Sequence, residues 1–377
     1  MRSCFTDRLS VCLLAATLLL AAAPAYAQSA AEIAGYTKAR EAFRAEADTY
    51  WSAVVEKRRS RNAKRRDGVA IVLNDYVLTQ PPVYSGPPRP PGPAIPDPAE
   101  PPKPPIPVLA DFLRHAAEQF RFVPDRVPEP VFKQEYARAA RAAGLTRDQI
   151  VGIYVFETGG NGTHDIQSGL TTPARPGARA ISAAMGYNQL LSTNSVGLLA
   201  QHGERFVALL RRKAESLAGA ERAAMERKIE ALRRMIALAR SVPYAWAKHD
   251  VMAKTTPGGI GMHAAVLDRD IGPLLQVQKL ADSVFFARRR GATATLTAAE
   301  LELLNLTGDG NGIDMVLMPQ AMRQRVPTSN FFQQAGYERN PIAARTATVA
   351  GLVADIAAKM ERGLQAKGAQ ELAASWP

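Results

Sequence analysis

The chain has 377 residues, with 47 Lys and Arg against 35 Asp and Glu (net charge +12), 27 prolines and two cysteines. That length allows a sizeable core and two structural units, and the positive excess suits an anionic partner. Cys4 and Cys12 both fall near the start, so the rest of the chain carries no disulfide framework, thiolate metal site or cysteine nucleophile.

A short basic lead precedes an apolar run from Val11 to Ala23 and the small-residue pattern Ala25-Tyr26-Ala27. This reads as a secretory signal peptide, residues 1–27, cleaved after Ala27. The apolar run falls short of the ~20 residues a membrane span needs, so no stable membrane anchor is expected. Export places the protein in the periplasm and makes nucleic acid the weaker anionic partner.

Residues 28–80 form an N-terminal helical and basic segment. Ile33, Tyr36, Phe43, Ala47, Tyr50, Trp51 and Val54 recur near one helical stripe from about 30 to 61. Residues 57–66 then concentrate Lys57, Arg58, Arg59, Arg61, Lys64, Arg65 and Arg66. The run reads as a solvated helix end or, functionally, as a contact for anionic envelope polymers. Val69 to Leu78 alternates weakly, as a single strand or an extended segment would. Residues 81–107 hold 14 prolines in 27 positions. They read either as a polyproline tether or as a strap laid on the surface, the latter suggested by Val83, Tyr84, Ile95 and Ile106.

From residue 108 onward the pattern is helical to the end. Helices are predicted near 107–120, 129–143, 147–158, 194–218, 220–241, 272–289, 297–304 and 346–367, with no train of alternating strands. The fold class is therefore all-α. Narrow apolar seams over about 203–241 mark an inserted helical hairpin or one kinked helix, packed on the body or protruding as a partner-binding arm.

The helix predicted over 147–158 is apolar almost all round but ends in Glu157. Thr146 and Gln149 supply a capping box, and Gly159-Gly160 supplies the stop. Glu157 is either a residue that has reached solvent or a desolvated carboxyl whose pKa rises toward that of a useful general acid. Ala184-Met185-Gly186-Tyr187-Asn188-Gln189 follows after a polar, Gly-rich connection.

With Glu157-Thr158, this second motif resembles the lysozyme-like lytic transglycosylases that cleave peptidoglycan. In that family a helix ends in a catalytic Glu followed by Ser, and a later segment reads Gly-Ala-x-Gly-Leu-Met-Gln. A third family element, Ala-Tyr-Asn-x-Gly, has a partial counterpart around Asn305, with Leu304 where the family has Tyr. The resemblance implies a lysozyme-like helical domain over 108–377 that acts on peptidoglycan glycan strands without a cofactor. It implies Glu157 as the acid/base. It also implies Thr158, Gly186, Tyr187, Asn188, Gln189 and Asn305 as substrate-binding or orienting residues. A hydrolase would instead need a second carboxylate to activate water, for which Asp165 is the candidate. A cell-wall-binding protein without turnover is the alternative from another class.

No metal site is expected. The histidines lack His-x-x-x-His spacing, and His164 reads as a loop residue. Gly308-Asp309-Gly310-Asn311-Gly312-Ile313-Asp314 lacks the bidentate Glu of a calcium loop and reads as a tight turn.

Overall fold

The computed structural model describes residues 30–91, 105–170 and 178–377. The expected signal peptide, residues 1–27, and part of the Pro-rich segment lie outside the described residues. The described chain is mostly helical, and its only β pairings are three isolated bridges. The all-α class read from the sequence is what the structure has. The stretch 69–78 forms no strand; its one ordered turn is a 3₁₀ turn at Leu73–Asp75.

The chain divides into two compact units. In the first, the start of helix α1 (Ala30–Arg66) packs with the beginning of the Pro-rich segment. Tyr84 meets the rings of Tyr36 and Phe43 edge-on at 6.3 and 5.6 Å, and the Arg40 guanidinium lies 4.8 Å from the Tyr84 ring centre. The described prolines therefore start as a strap on α1, because an aromatic anchor interrupts them.

The second unit comprises residues 50–81 and the chain from 101 onward. Its helices are α2 (Leu109–Phe120), α3 (Glu129–Ala142), α4 (Arg147–Thr158), α5 (Ser192–Glu215), α6 (Gly219–Ala239), α7 (Trp246–Thr255), α8 (Pro257–Met262) and α9 (Gly272–Arg289). There follow α10 (Ala298–Thr307), α11 (Asp309–Val316), the short α12 (Gln320–Arg323), α13 (Gln334–Glu338) and α14 (Pro341–Arg345), then α15 (Val349–Gly363) and α16 (Lys367–Ala374). Helices α5 and α6 form the hairpin expected from the two seams. Phe206, Leu210, Met225, Ile229, Leu232 and Ile236 bury those seams in a core shared with Phe112, Met262 and Leu275. The hairpin is thus part of the body and does not protrude as an arm.

The basic run is also structural. Arg61 is only 1% exposed; it donates to the carbonyls of Asp75 (2.9 Å) and Asn330 (3.1 Å), with its guanidinium 4.3 Å from the Tyr76 ring centre. Arg58 donates to the Asn330 and Phe332 carbonyls, Lys57 to the Asn74 carbonyl, Lys64 to Asp75 and Arg65 to Asp314. Five of the seven cations thus meet internal acceptors, while Arg59 and Arg66 stay exposed. Spacing alone concealed this, because the acceptors lie up to about 270 residues away.

Helix α4 contacts α3, α10, α15 and α16. Its capping box forms as the sequence predicts: Thr146 Oγ1 accepts from the Gln149 amide (3.2 Å) and Gln149 Oε1 accepts from the Thr146 amide (2.9 Å), while Gly159 closes the helix at φ 70°. Gly152 has no side chain where Ala298 of α10 and Met360 of α15 press in; a Cβ there would lie 2.6 Å from Ala298 Cβ. Gly363 gives the same room to Val155. These glycines bring α10 and α15 close to α4. Gly152→Val is therefore expected to destabilise the unit by about 1–3 kcal/mol, measurable by urea denaturation, because α10 or α15 must shift.

Candidate functional site

Glu157 sits on the last turn of α4, where the helix meets α10 and α15. The adjacent residues Ile153, Tyr154, Val155 and Phe156 are buried, whereas Glu157 itself keeps part of its surface. Its Oε1 accepts a hydrogen bond from Asn305 Nδ2 at 2.8 Å. The same amide lies 3.4 Å from Glu302 Oε2 and 3.5 Å from the Asn188 carbonyl. Asn305 thus ties α4, α10 and the second motif together at one nitrogen.

Glu302 is fully buried, one helical turn before Asn305, and its Oε2 and Glu157 Oε1 both lie against the Asn305 amide. Two carboxylates cannot make that contact while both are ionised, so the pair holds a proton. Glu302 Oε1 is buried with no donor facing it, as expected if that carboxyl is the one that donates. Burial raises Glu302 well above the usual carboxylate range, and the neighbouring Glu157 charge raises it further. Burial likewise raises Glu157, to about 7; the Glu302 hydrogen bond, the Lys359 charge and Asn305 only partly offset it. Lys359, on α15, lies with its Nζ 4.0 Å from the Phe156 ring centre. Burial lowers its pKa while both glutamates oppose the loss of its charge.

A proton near neutrality on the carboxyl of a residue that keeps part of its surface is what general acid catalysis requires. Glu302 is fully buried, so it is not placed as the second, substrate-facing carboxylate of a retaining or inverting glycosidase. Glu302 therefore acts on Glu157 and not on substrate. If Glu302 is the neutral donor, Glu302→Gln keeps the hydrogen bond and leaves the pH profile of any Glu157-dependent activity in place. Glu302→Leu removes the donor, so the alkaline fall of kcat/KM moves to higher pH; rate profiles from pH 5 to 9 check both outcomes.

The second motif is a tight hairpin. Met185 and Leu190 exchange backbone hydrogen bonds at 3.0 and 2.9 Å, Gly186 turns at φ 85°, and Gln189 takes φ 47°. A Cβ on Gly186 would lie 2.6 Å from Gln276 Oε1, so this glycine makes room for a core side chain and not for a glycan. Tyr187 is fully buried against Tyr136, Tyr154 and Phe132, and its hydroxyl donates to Glu129 at 2.6 Å. Asn188 is 1% exposed, donating Nδ2 to the Gln276 carbonyl at 2.8 Å. The structure thus corrects the expectation for Gly186, Tyr187 and the Asn188 side chain: they are buried supports that set the Asn188 carbonyl beside Asn305. Gln189 and Thr158 keep partial exposure; Gln189 Nε2 donates to the Ile166 and Gly186 carbonyls, and Thr158 Oγ1 to the Tyr154 carbonyl at 2.6 Å.

Asp165 is engaged elsewhere. Its carboxylate pairs with Arg126 and accepts from Thr163 at 2.6 Å, and none of these contacts is shared with Glu157. His164 lies in a turn, as expected, but its ring is buried: it is 6% exposed, stacks on Phe132 at 4.5 Å and hydrogen-bonds Glu129. The 308–314 stretch is not a tight turn alone, because its residues open α11. Asp309 accepts from Ser283 at 2.6 Å and Lys279 at 3.2 Å, and Asp314 pairs with Arg65. Among the described residues no cluster of His, Cys, Asp and Glu is placed to hold a metal ion.

Glu302 and Lys359 are missing from the sequence reading. Glu302 left a trace, since it interrupts Leu301-Leu303-Leu304 and precedes Asn305 by three residues, hence on the same helical face. Lys359 left none. Comparison with family models, with curated proteins and with solved structures finds no match.

Proposed function

We propose that this chain is an acid/base enzyme that cleaves glycosidic bonds with Glu157. More particularly, it is an exported, lysozyme-like lytic transglycosylase acting on the MurNAc-GlcNAc bonds of peptidoglycan in the periplasm. The observation that carries the reading is Glu157 itself: a partly exposed residue whose carboxyl is desolvated, proton-bearing near neutral pH, and held beside Asn305 and Glu302.

Glu157 gives its proton to the glycosidic oxygen as the bond from the anomeric carbon breaks. The sugar's own 6-hydroxyl then attacks that carbon, and Glu157 takes the hydroxyl proton back. The product is a 1,6-anhydro sugar, with no water consumed and Glu157 returned to its starting state. A single carboxyl serves both transfers, so the engagement of Asp165 with Arg126 and Thr163 favours this route over water activation. Asn305 supplies a donor to Glu157 next to Leu304, the position where the resembled family has its Tyr. That contact favours turnover over a binding-only scaffold. Among the described residues no helix is long and apolar enough to cross a membrane.

The test is mass spectrometry of purified sacculi incubated with the protein. Anhydro-muropeptides support the proposal, reducing-end products make the protein a hydrolase, and absence of products with retained sedimentation leaves a binding protein.

A further inference from the structure

A pocket of about 490 Å³ opens where the C-terminal end of α2, the α5/α6 hairpin and the loop before α9 meet, and it shares no lining residue with the Glu157 site. That volume falls within the range of small-ligand sites. Its walls are tied together from inside. Asp268 is fully buried and accepts from the amides of Asp125 (2.9 Å), Asp270 (3.0 Å) and Ile271 (3.1 Å), and the Arg269 amide donates to the Asp125 carbonyl at 3.0 Å. Lys213 pairs with Asp270, and Lys228 with both Asp270 and Asp268. The pocket is therefore preformed, and its lysines already have their counter-charges.

Its arginines do not. Arg121 and Arg227 are exposed, and among the described residues neither makes a salt bridge or a side-chain hydrogen bond. Arg269 Nε lies 3.6 Å from Asp125 and 3.9 Å from Asp270, and it is buried with no hydrogen-bond partner. Arg121 also takes the left-handed backbone at φ 52°, where a helix more cheaply ends in Gly or Asn, so an arginine is kept there at a conformational cost. Two further carboxylates line the pocket, Asp125 and Glu221, and both are exposed. Beside the arginines lies an apolar strip: Val123, 78% exposed, with Leu217 partly exposed and Met225 buried beneath.

A guanidinium fork matches the oxygens of a carboxylate or a phosphate. Three forks from three separate elements, two of them with no partner inside the protein, suit more charge than one carboxylate carries. A phosphate monoester brings about −1.5 to −2 and three terminal oxygens. We propose that this pocket binds phosphate monoesters that carry an apolar substituent: Arg121, Arg227 and Arg269 take the phosphate oxygens, and Val123 and Leu217 cover the substituent. The site is independent of the Glu157 reading.

Phenyl phosphate, inorganic phosphate, sulfate and benzoate are titrated calorimetrically, at constant ionic strength, into the wild type, Arg121→Ala, Arg227→Ala and the double variant. Phenyl phosphate is expected to bind at least tenfold more tightly than benzoate, which presents the same ring with a single carboxylate, and more tightly than either inorganic ion. Each single substitution weakens it at least fivefold and the double substitution abolishes it, with melting temperatures unchanged because neither arginine has an internal partner. Val123→Ser weakens phenyl phosphate and leaves inorganic phosphate unaffected. Phosphatidylcholine vesicles with and without phosphatidic acid identify the source of the ester. Sedimentation that needs phosphatidic acid, and is lost in the double variant, makes a lipid headgroup the ligand; binding of phenyl phosphate without sedimentation makes it a soluble ester. Phenyl phosphate bound no more tightly than sulfate or benzoate, or bound equally by the double variant, overturns the proposal.

Discussion

Glu157→Gln is expected to lower glycan cleavage by about 10²–10⁴-fold, the usual contribution of a positioned general acid. The amide keeps a hydrogen-bonding oxygen for Asn305 while removing the transferable proton, so anhydro-product formation falls with sacculus binding retained. The same substitution should raise thermal stability, in a pH-dependent way. Burial lifts the folded-state pKa of Glu157 to about 7, above the ordinary carboxylate value near 4.3. The folded protein therefore holds a proton that the unfolded chain releases, and it loses stability as pH rises from the unfolded pKa through the folded one. At pH 4 the variant and wild type should melt together. At pH 8 the variant should be more stable by up to roughly 3–4 kcal/mol, since the shift is about 2.7 pKa units and each is worth about 1.4 kcal/mol. Melting curves at the two pH values decide it. A variant equally stable at both, with activity intact, would mean that Glu157 is an ordinary solvated helix end.

Arg61→Ala is expected to cost about 3–5 kcal/mol of stability, because it strips a buried cation from its partners. The loss has three parts. The Asp75 carbonyl loses its charged donor, and the Asn330 carbonyl is left to Arg58 alone. The Tyr76 ring loses the guanidinium stacked on it. A cavity replaces one of the largest fully buried side chains. Arg61→Lys should recover only part of this, since an ammonium cannot reach both carbonyls in the fork of a guanidinium. Arg59→Ala, exposed beside Glu56, should change stability by less than about 0.5 kcal/mol. Urea denaturation at low and high salt measures all three, and the Arg61 effect should persist in salt because the pair groups are buried. If the basic run instead served an anionic polymer, Arg61→Ala would weaken sacculus sedimentation and leave the denaturation midpoint where it was.

The two expectations rest on different parts of the chain, and they differ in how legible they were. Thr146, Gln149 and Gly159 act within one turn of the helix they delimit, so the start, the end and the terminal carboxyl of α4 could be read directly. The α5/α6 seams, the limits of α9 and the absence of a strand train were read for the same reason: helical spacing and caps are local properties. Helix α7 left little periodic signal, as 10 residues of mixed polarity that packing completes. Local spacing also misjudged the run at 57–66, since charge density says where cations are and not which distant carbonyls will reach them.

The sequence by itself therefore determined an all-α protein, the helix that ends in Glu157, and the nomination of that residue with Asn305. Only the tertiary structure decided what surrounds the carboxyl. The glycines at 152 and 363 admit α10 and α15 to α4, and that approach sets Glu302, Asn305 and Lys359 against Glu157. It also turned Gly186, Tyr187 and Asn188 inward as supports. The physical reason is that a pKa and a cleft are set by which groups from different helices meet at a few ångströms, and no periodicity within one helix records its neighbours.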